Sequence, residues 1–309
     1  MRTALDDLLA TGPHAIDGGL ATELEAQGRD LSGDLWSARV LREDPDVVRD
    51  VHAAYFRAGA AVGISASYQA SRAGIVRAGG SAQEADRLLT LSVRLVREAA
   101  DQVRAEGVRT PLLVAASVGP FGATRHDGSE YRGGYGLTHD ELVAFHRERL
   151  DVLAAAGPDL LAIETIPDVV EAQALVEVLA DHADLPAWLS YSCADGAHTC
   201  AGQPFAEAVA VAVSAPTVRA VGINCTAPEH VAALLAAGAG QRRDRPYVVY
   251  PNAGRVWDGP TSQWNGDGTD RLPAAAVREW VGLGAALVGG CCGLGPAAVH
   301  DIATAIAHR

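Results

Sequence analysis

Apolar runs of four to seven residues alternate along this chain with longer stretches in which apolar side chains recur every three or four positions. The short runs read as buried strands and the longer stretches as amphipathic helices. The runs predict strands over 14–17, 61–67, 112–118, 160–164, 187–192, 219–224, 247–250 and 285–289. The helical period predicts helices over 45–58, 82–106, 138–156, 168–182, 204–213, 228–237, 273–283 and 296–307. Pro45, Pro228 and Pro296 stand at helix starts, where a missing N–H costs nothing, and Thr138 stands at an N-cap.

Eight strands, each followed by a helix, with no low-complexity linker between them, predict one (β/α)8 TIM-type barrel domain over residues 1–309. The alternation alone also permits a doubly wound sheet; the count of eight and the length favour the barrel. Residues 128–136 and 252–270 read as long loops, where such barrels carry substrate contacts.

A TIM-type barrel places its chemistry at the C-terminal ends of its strands. Those ends carry Asp17-Gly18-Gly19, Ser67-Tyr68-Gln69, Ser117-Val118-Gly119-Pro120, Glu164-Thr165, Asn224-Cys225, Tyr250-Pro251-Asn252 and Cys291-Cys292. Free cysteine commonly does no more than fill core space. Three thiols at the ends of two strands, with glycines beside Cys291 and Cys292, suit a metal better: catalytic zinc takes three protein ligands and keeps a fourth position open. Asp17 and Glu164 suit a substrate ammonium group, and Asn224 is a further candidate to contact the substrate. The backbone amides of Gly18 and Gly19, at the start of a helix, suit a carboxylate. An amino acid whose thiol reaches the metal satisfies all three features. Taken singly, Asp17 also reads as a helix cap and Glu164 as a partner for one of the arginines.

Composition narrows the choice. The net charge of −13 argues against nucleic acid or an anionic membrane as partner. No apolar run reaches membrane-spanning length, and residues 1–7 lack the core of a signal peptide. These features predict a cytoplasmic protein whose five cysteines stay reduced. All 25 basic residues are arginine, which excludes a lysine Schiff base, lysine-anchored pyridoxal phosphate and a P-loop lysine. Cys193 and Cys200 flank a turn at Asp195-Gly196 and read as structural, and the ten histidines, scattered through helices, read as solvated.

The chain resembles the zinc-dependent homocysteine S-methyltransferase family. The resemblance is carried in order by residues 17–25, 35–38, 65–71, 117–122, 127–133, 164–167, 222–225, 250–252 and 289–292. It implies one Zn²⁺ per chain on Cys225, Cys291 and Cys292, with Asp17 and Glu164 on the homocysteine amino group and Tyr68 beside the metal. Relatives that use betaine generally carry a long C-terminal extension, so the resemblance is to the short, free-standing group. That group implies a sulfonium donor, S-methylmethionine or S-adenosylmethionine, and methionine as product. Trp36, Tyr68 and Trp264 are candidates to face the cationic donor. Arg255 stands where relatives often carry an acid. The partners expected are the two small molecules, in a monomer or a dimer. Two rival readings are the same barrel methylating another thiol or selenol, and a thiol redox or metal-storage protein without enzymatic activity.

Overall fold

The computed structural model of the protein describes residues 2–29, 31, 37–125, 127–254, 256–258, 263–265 and 268–308. Eight parallel strands form its centre: β1 (His14–Ala15), β2 (Val62–Ile64), β3 (Leu113–Val118), β4 (Leu160–Ile166), β5 (Ala187–Tyr191), β6 (Val218–Asn224), β7 (Tyr247–Tyr250) and β10 (Ala285–Val288). They pair in sequence from β2 to β7, then β10, then β1. Closure is made by backbone bonds between the first two strands. Ala61 N–H donates to Ala15 C=O at 2.7 Å and Asp17 N–H to Val62 C=O at 3.1 Å. The sheet is therefore a barrel, as the strand count predicts.

The period-2 alternation of strand side chains sorts the core into two layers. Leu113 and Ala115, Leu160 and Ala162, Trp188, Ala220, Val248 and Leu287 fill the barrel interior. Their neighbours Val114, Ala116, Leu161, Ile163, Leu189 and Val221 face outward into a larger core shared with the helices. Leu5 and Leu8, on the helix Ala4–Leu9, join the interior cluster beside the first residues of the strands. That helix plugs the N-terminal end of the barrel, leaving the opposite end open to chemistry.

The eight predicted helices are present, shifted by a residue or two where caps and 3-10 turns absorb their ends. At one of these starts, Thr138 caps Glu141 N–H while the Glu141 carboxylate accepts from Thr138 N–H at 2.8 Å. Three differences stand out. Helices Ala4–Leu9, Ser37–Glu43 and Arg72–Arg77 are too short to show a period. Strand β2 ends at Ile64, because Ser65 and Ser67 turn their hydroxyls on each other and on Ser117 C=O, which bends the chain away. The 252–270 loop contains an antiparallel hairpin of β8 (Val256–Asp258) and β9 (Gln263–Asn265). No helix among the described residues is long and apolar enough to cross a membrane.

Candidate active site

The alternation that fills the barrel interior with Leu113, Ala115, Leu160, Ala162, Trp188, Ala220 and Val248 continues to the C-terminal end of each strand. It brings Ser117, Glu164, Ser190, Asn224 and Tyr250 onto the inner face as a polar layer above the apolar plug. These residues bond to one another. Ser117 donates to Glu164 Oε1. Ser190 donates to Asn224 Oδ1 at 2.8 Å and shares a 2.7 Å bond with the Tyr250 hydroxyl, which also accepts from Trp188 Nε1 at 3.0 Å.

Asn224 also grips the end of β4. Its Oδ1 accepts from Thr165 N–H at 2.6 Å and its Nδ2 donates to Thr165 Oγ1 at 2.7 Å. Thr165 has φ 61°, an outlying conformation for a β-branched residue, and Cys225 has φ 46°. Backbone strain of this kind costs on the order of 1–3 kcal/mol and persists only where its surroundings hold it. Asn224, expected to contact substrate, mainly holds this turn, with one amide hydrogen left over.

Asp17 and Glu164 are both buried at the mouth of the barrel. Asp17 Oδ2 accepts from Ile64 N–H at 2.6 Å, while its Oδ1 is buried with no partner among the described residues. Burial pushes the Asp17 carboxyl well above its usual range, and the nearby charge of Glu164 adds to the push. Burial likewise lifts Glu164 to about 7, against the bonds from Ser117 and Tyr250 and the charge of Arg149. Two buried carboxyls with spare acceptor capacity favour a cationic ligand.

Gly18 and Gly19 allow the end of β1 to approach the loop that carries the thiols. A Cβ on Gly18 would lie 2.4 Å from Leu294 O and one on Gly19 2.7 Å from Cys291 O. Gly19 N–H already donates to Leu294 O at 3.0 Å. That bond engages one amide of the pair expected to hold a carboxylate.

Cys225, Cys291 and Cys292 converge as the resemblance implies, their sulfurs all within 4.8 Å of one another. Cys225 and Cys291 are joined by a disulfide, and Cys292 Sγ lies 3.9 Å from each. The expectation of five reduced cysteines thus meets a difference, and a two-electron reduction returns three thiols. Burial pushes the Cys292 thiol up to about 12, and the charges of Glu25, Glu130 and Glu164 add to the effect. Such a thiol ionises only when a cation shares its pocket. Three soft sulfurs in negative surroundings fit zinc.

Tyr68 is half-buried, its ring against Gly119, where a Cβ would lie 2.6 Å from it. Arg149, buried on the helix His139–Ala155, donates to Gly119 O and, at 3.3 Å, to Tyr68 O, clamping both loops. Behind them Glu171 accepts from Phe121 N–H at 2.6 Å and pairs with His146 at 2.9 Å. Neither Arg149 nor Glu171 is recognisable as part of the site in the sequence, because a polar residue on a helix looks solvated until its neighbours are known. His146 and His52, both expected at the surface, are buried. Cys193 and Cys200 are free and flank a turn in which Asp195 Oδ1 accepts from Ala197 and His198 N–H, as expected. Trp36, Arg255 and the side chain of Trp264 lie outside the described residues.

The homocysteine S-methyltransferase family model matches residues 15–306. The chain belongs to the homocysteine S-methyltransferase family. It is 47% identical to homocysteine S-methyltransferase 4 of Zea mays, over 96% of this chain and 90% of the maize protein. It is 43% identical to the homocysteine S-methyltransferase of Escherichia coli, over 91% of each chain. The solved metallated form of the E. coli homocysteine methyltransferase MmuM superposes with a TM-score of 0.87 at 41% identity, covering 97% of this chain and 99% of that one. The oxidised form of MmuM gives 0.86 at the same identity. As a homocysteine S-methyltransferase family member, the chain has its eight-stranded barrel and thiol cluster in the frame of an enzyme solved with metal.

Proposed function

We propose that this enzyme moves a methyl group from a sulfonium donor, S-methylmethionine or S-adenosylmethionine, to the thiol of L-homocysteine, giving methionine. The observation that carries the reading is the convergence of three thiols with the buried carboxyls of Asp17 and Glu164 at one mouth of the barrel.

Cys225, Cys291 and Cys292 would hold one zinc ion, which when bound supplies the Lewis acidity that keeps the substrate sulfur a thiolate near pH 7. The other tasks belong to the chain. Asp17 Oδ1, the unpartnered buried oxygen, and the Glu164 carboxylate accept from the substrate ammonium. Receiving that cation draws the proton off Glu164, whose carboxyl titrates at about 7. Asn224 and Arg149 hold the Thr165 turn and the Tyr68 loop, so Tyr68 walls the pocket and excludes water. In the transfer the homocysteine sulfur forms a bond to the methyl carbon. The bond from that carbon to the donor sulfur breaks, and its electron pair stays on the donor, which leaves as a neutral thioether. Positive charge disappears, so positioning and dehydration matter most.

The carboxylates of Glu25, Glu130 and Glu164 that act on Cys292 favour a net-cationic sulfonium amino acid over net-neutral betaine. The reading needs only small-molecule partners, and we place it in the cytoplasm, where thiols are kept reduced. Methionine formation should be assayed on reduced, zinc-loaded protein with homocysteine and each of S-methylmethionine, S-adenosylmethionine and betaine separately. Turnover with a sulfonium is expected. Turnover with betaine alone, or with no donor, would sink the reading.

A further inference from the structure

Glu130 lies outside the roles assigned above. It sits in the 3-10 turn Ser129–Tyr131, in the loop that follows the C-terminal end of β3 and packs against β4, the strand that carries Glu164. Glu130 is 7% exposed, and its Oε2 is buried without a hydrogen-bond partner among the described residues. The charge of Arg132 reaches Glu130, but the contacts of the local arginines among the described residues are made elsewhere. Arg132 donates to Asp127 O at 3.1 Å and stands 3.8 Å from the Asp127 carboxylate, and Arg125 lies over the rings of Phe121 and Tyr135. The turn itself is fixed: Asp127 Oδ1 accepts from Ser129 N–H at 2.9 Å, and Ser129 Oγ donates to Gly122 O at 3.3 Å. A Cβ on Gly122 would lie 2.5 Å from Glu130 N, so the turn packs directly on the Gly122 backbone.

An unpaired carboxyl in such a place is costly unless a cation meets it. The loop leaves the same end of the barrel at which Asp17, Glu164 and the thiols lie. Among the buried carboxyls of the described residues, Asp17 and Glu164 are assigned to homocysteine and Glu171 is engaged by His146 and Phe121 N–H, which leaves Glu130 for the donor's positive charge.

We infer that Glu130 is the residue that recognises the positive charge of the methyl donor, from the loop that follows β3. The inference rests on the sulfonium reading above. It carries a kinetic signature. Sulfonium charge is largest in the bound donor and fades in the transition state, so a carboxylate beside it stabilises the ground state more. Removing it should weaken donor binding without slowing the chemical step.

The test is Glu130→Gln in the zinc-loaded enzyme, with Glu130→Asp as a second variant should Gln not fold. The KM for S-methylmethionine should rise about ten-fold to a hundred-fold, the loss of one charge-assisted contact. At saturating donor, kcat should stay within about two-fold and the homocysteine KM should not move. Trimethylsulfonium, which has no ammonium group, serves as a second donor. Loss with both donors assigns Glu130 to the sulfonium, and loss with S-methylmethionine alone assigns it to the ammonium. An unchanged KM for both donors, or a fall confined to kcat, would overturn the inference. If the wild type turned over no sulfonium, the functional reading would fail separately. Calorimetric binding of S-methylmethionine and trimethylsulfonium to wild type and Glu130→Gln would then still decide the role of Glu130, equal affinities for both ligands counting against it.

Discussion

Replacing Glu164 with glutamine keeps the volume of the side chain and an oxygen for the Ser117 hydroxyl, and removes only the charge. A charge-assisted hydrogen bond contributes about 1.5–3 kcal/mol, so an amino acid in this pocket should bind about 10- to 150-fold more weakly. Methionine is the right probe, because it has the ammonium group and no thiol whose own ionisation would confuse the pH dependence. The wild-type profile follows from the Glu164 carboxyl titrating at about 7. The ammonium binds the carboxylate, so methionine affinity should be flat above pH 7 and fall below it, towards ten-fold per unit. In Glu164→Gln the raising effect of Glu164 on Asp17 is gone, so the remaining fall should move to lower pH. Calorimetry from pH 5.5 to 8.5 on both proteins reads affinity and proton release together. Equal affinities and superimposable profiles would refute the argument that these carboxyls meet the amino group.

Three further outcomes are expected. Asn224→Ala leaves Thr165 N–H and the Ser190 hydroxyl without their acceptor, and should lower stability by about 2–4 kcal/mol in urea unfolding, with turnover falling as the Thr165 turn relaxes. His52, buried with both ring nitrogens unpartnered, is pushed by burial to about 4 from 6.5. Between those values the unfolded chain binds a proton that the folded chain does not, so its effect is a loss of up to about 3 kcal/mol as pH falls from 6.5 to 4. Glu164 acts with the opposite sign, its contribution being present below 4.5 and lost as pH rises through 7. The urea midpoint of His52→Leu should therefore fall less than that of wild type between pH 6.5 and 4.5. Lastly, disulfide and metal compete for the Cys225 and Cys291 sulfurs, so oxidised protein should take up zinc only after reduction, by metal analysis, and Cys292→Ala should not retain it after reduction.

Much of the site was legible because strand ends are legible. Once eight apolar runs are placed, Asp17, Glu164, Cys225, Cys291 and Cys292 follow from position alone, and the alternation that buries Ala162 and Trp188 also delivers Glu164 and Ser190 to the inner face. Roles set by hydrogen bonds between distant segments were not legible. Asn224 sits at the right strand end, yet its side chain holds Thr165, 59 residues away. Gly19 stands at a helix start, yet its amide is taken by Leu294. Arg149, Glu171 and His146 lie on helices whose polar positions look solvated, and only the packing of the 119–122 segment against them reveals a buried network. Short helices and the β8–β9 hairpin escaped because neither spans enough residues to show a period.

The account stands on three cysteine sulfurs activating a substrate sulfur, and zinc X-ray absorption on the reduced, zinc-loaded protein tests that most directly. It predicts one zinc per chain with three sulfur neighbours from Cys225, Cys291 and Cys292, and a fourth when homocysteine is added. Zinc held by fewer sulfurs, or a sulfur count unchanged by homocysteine, would contradict it.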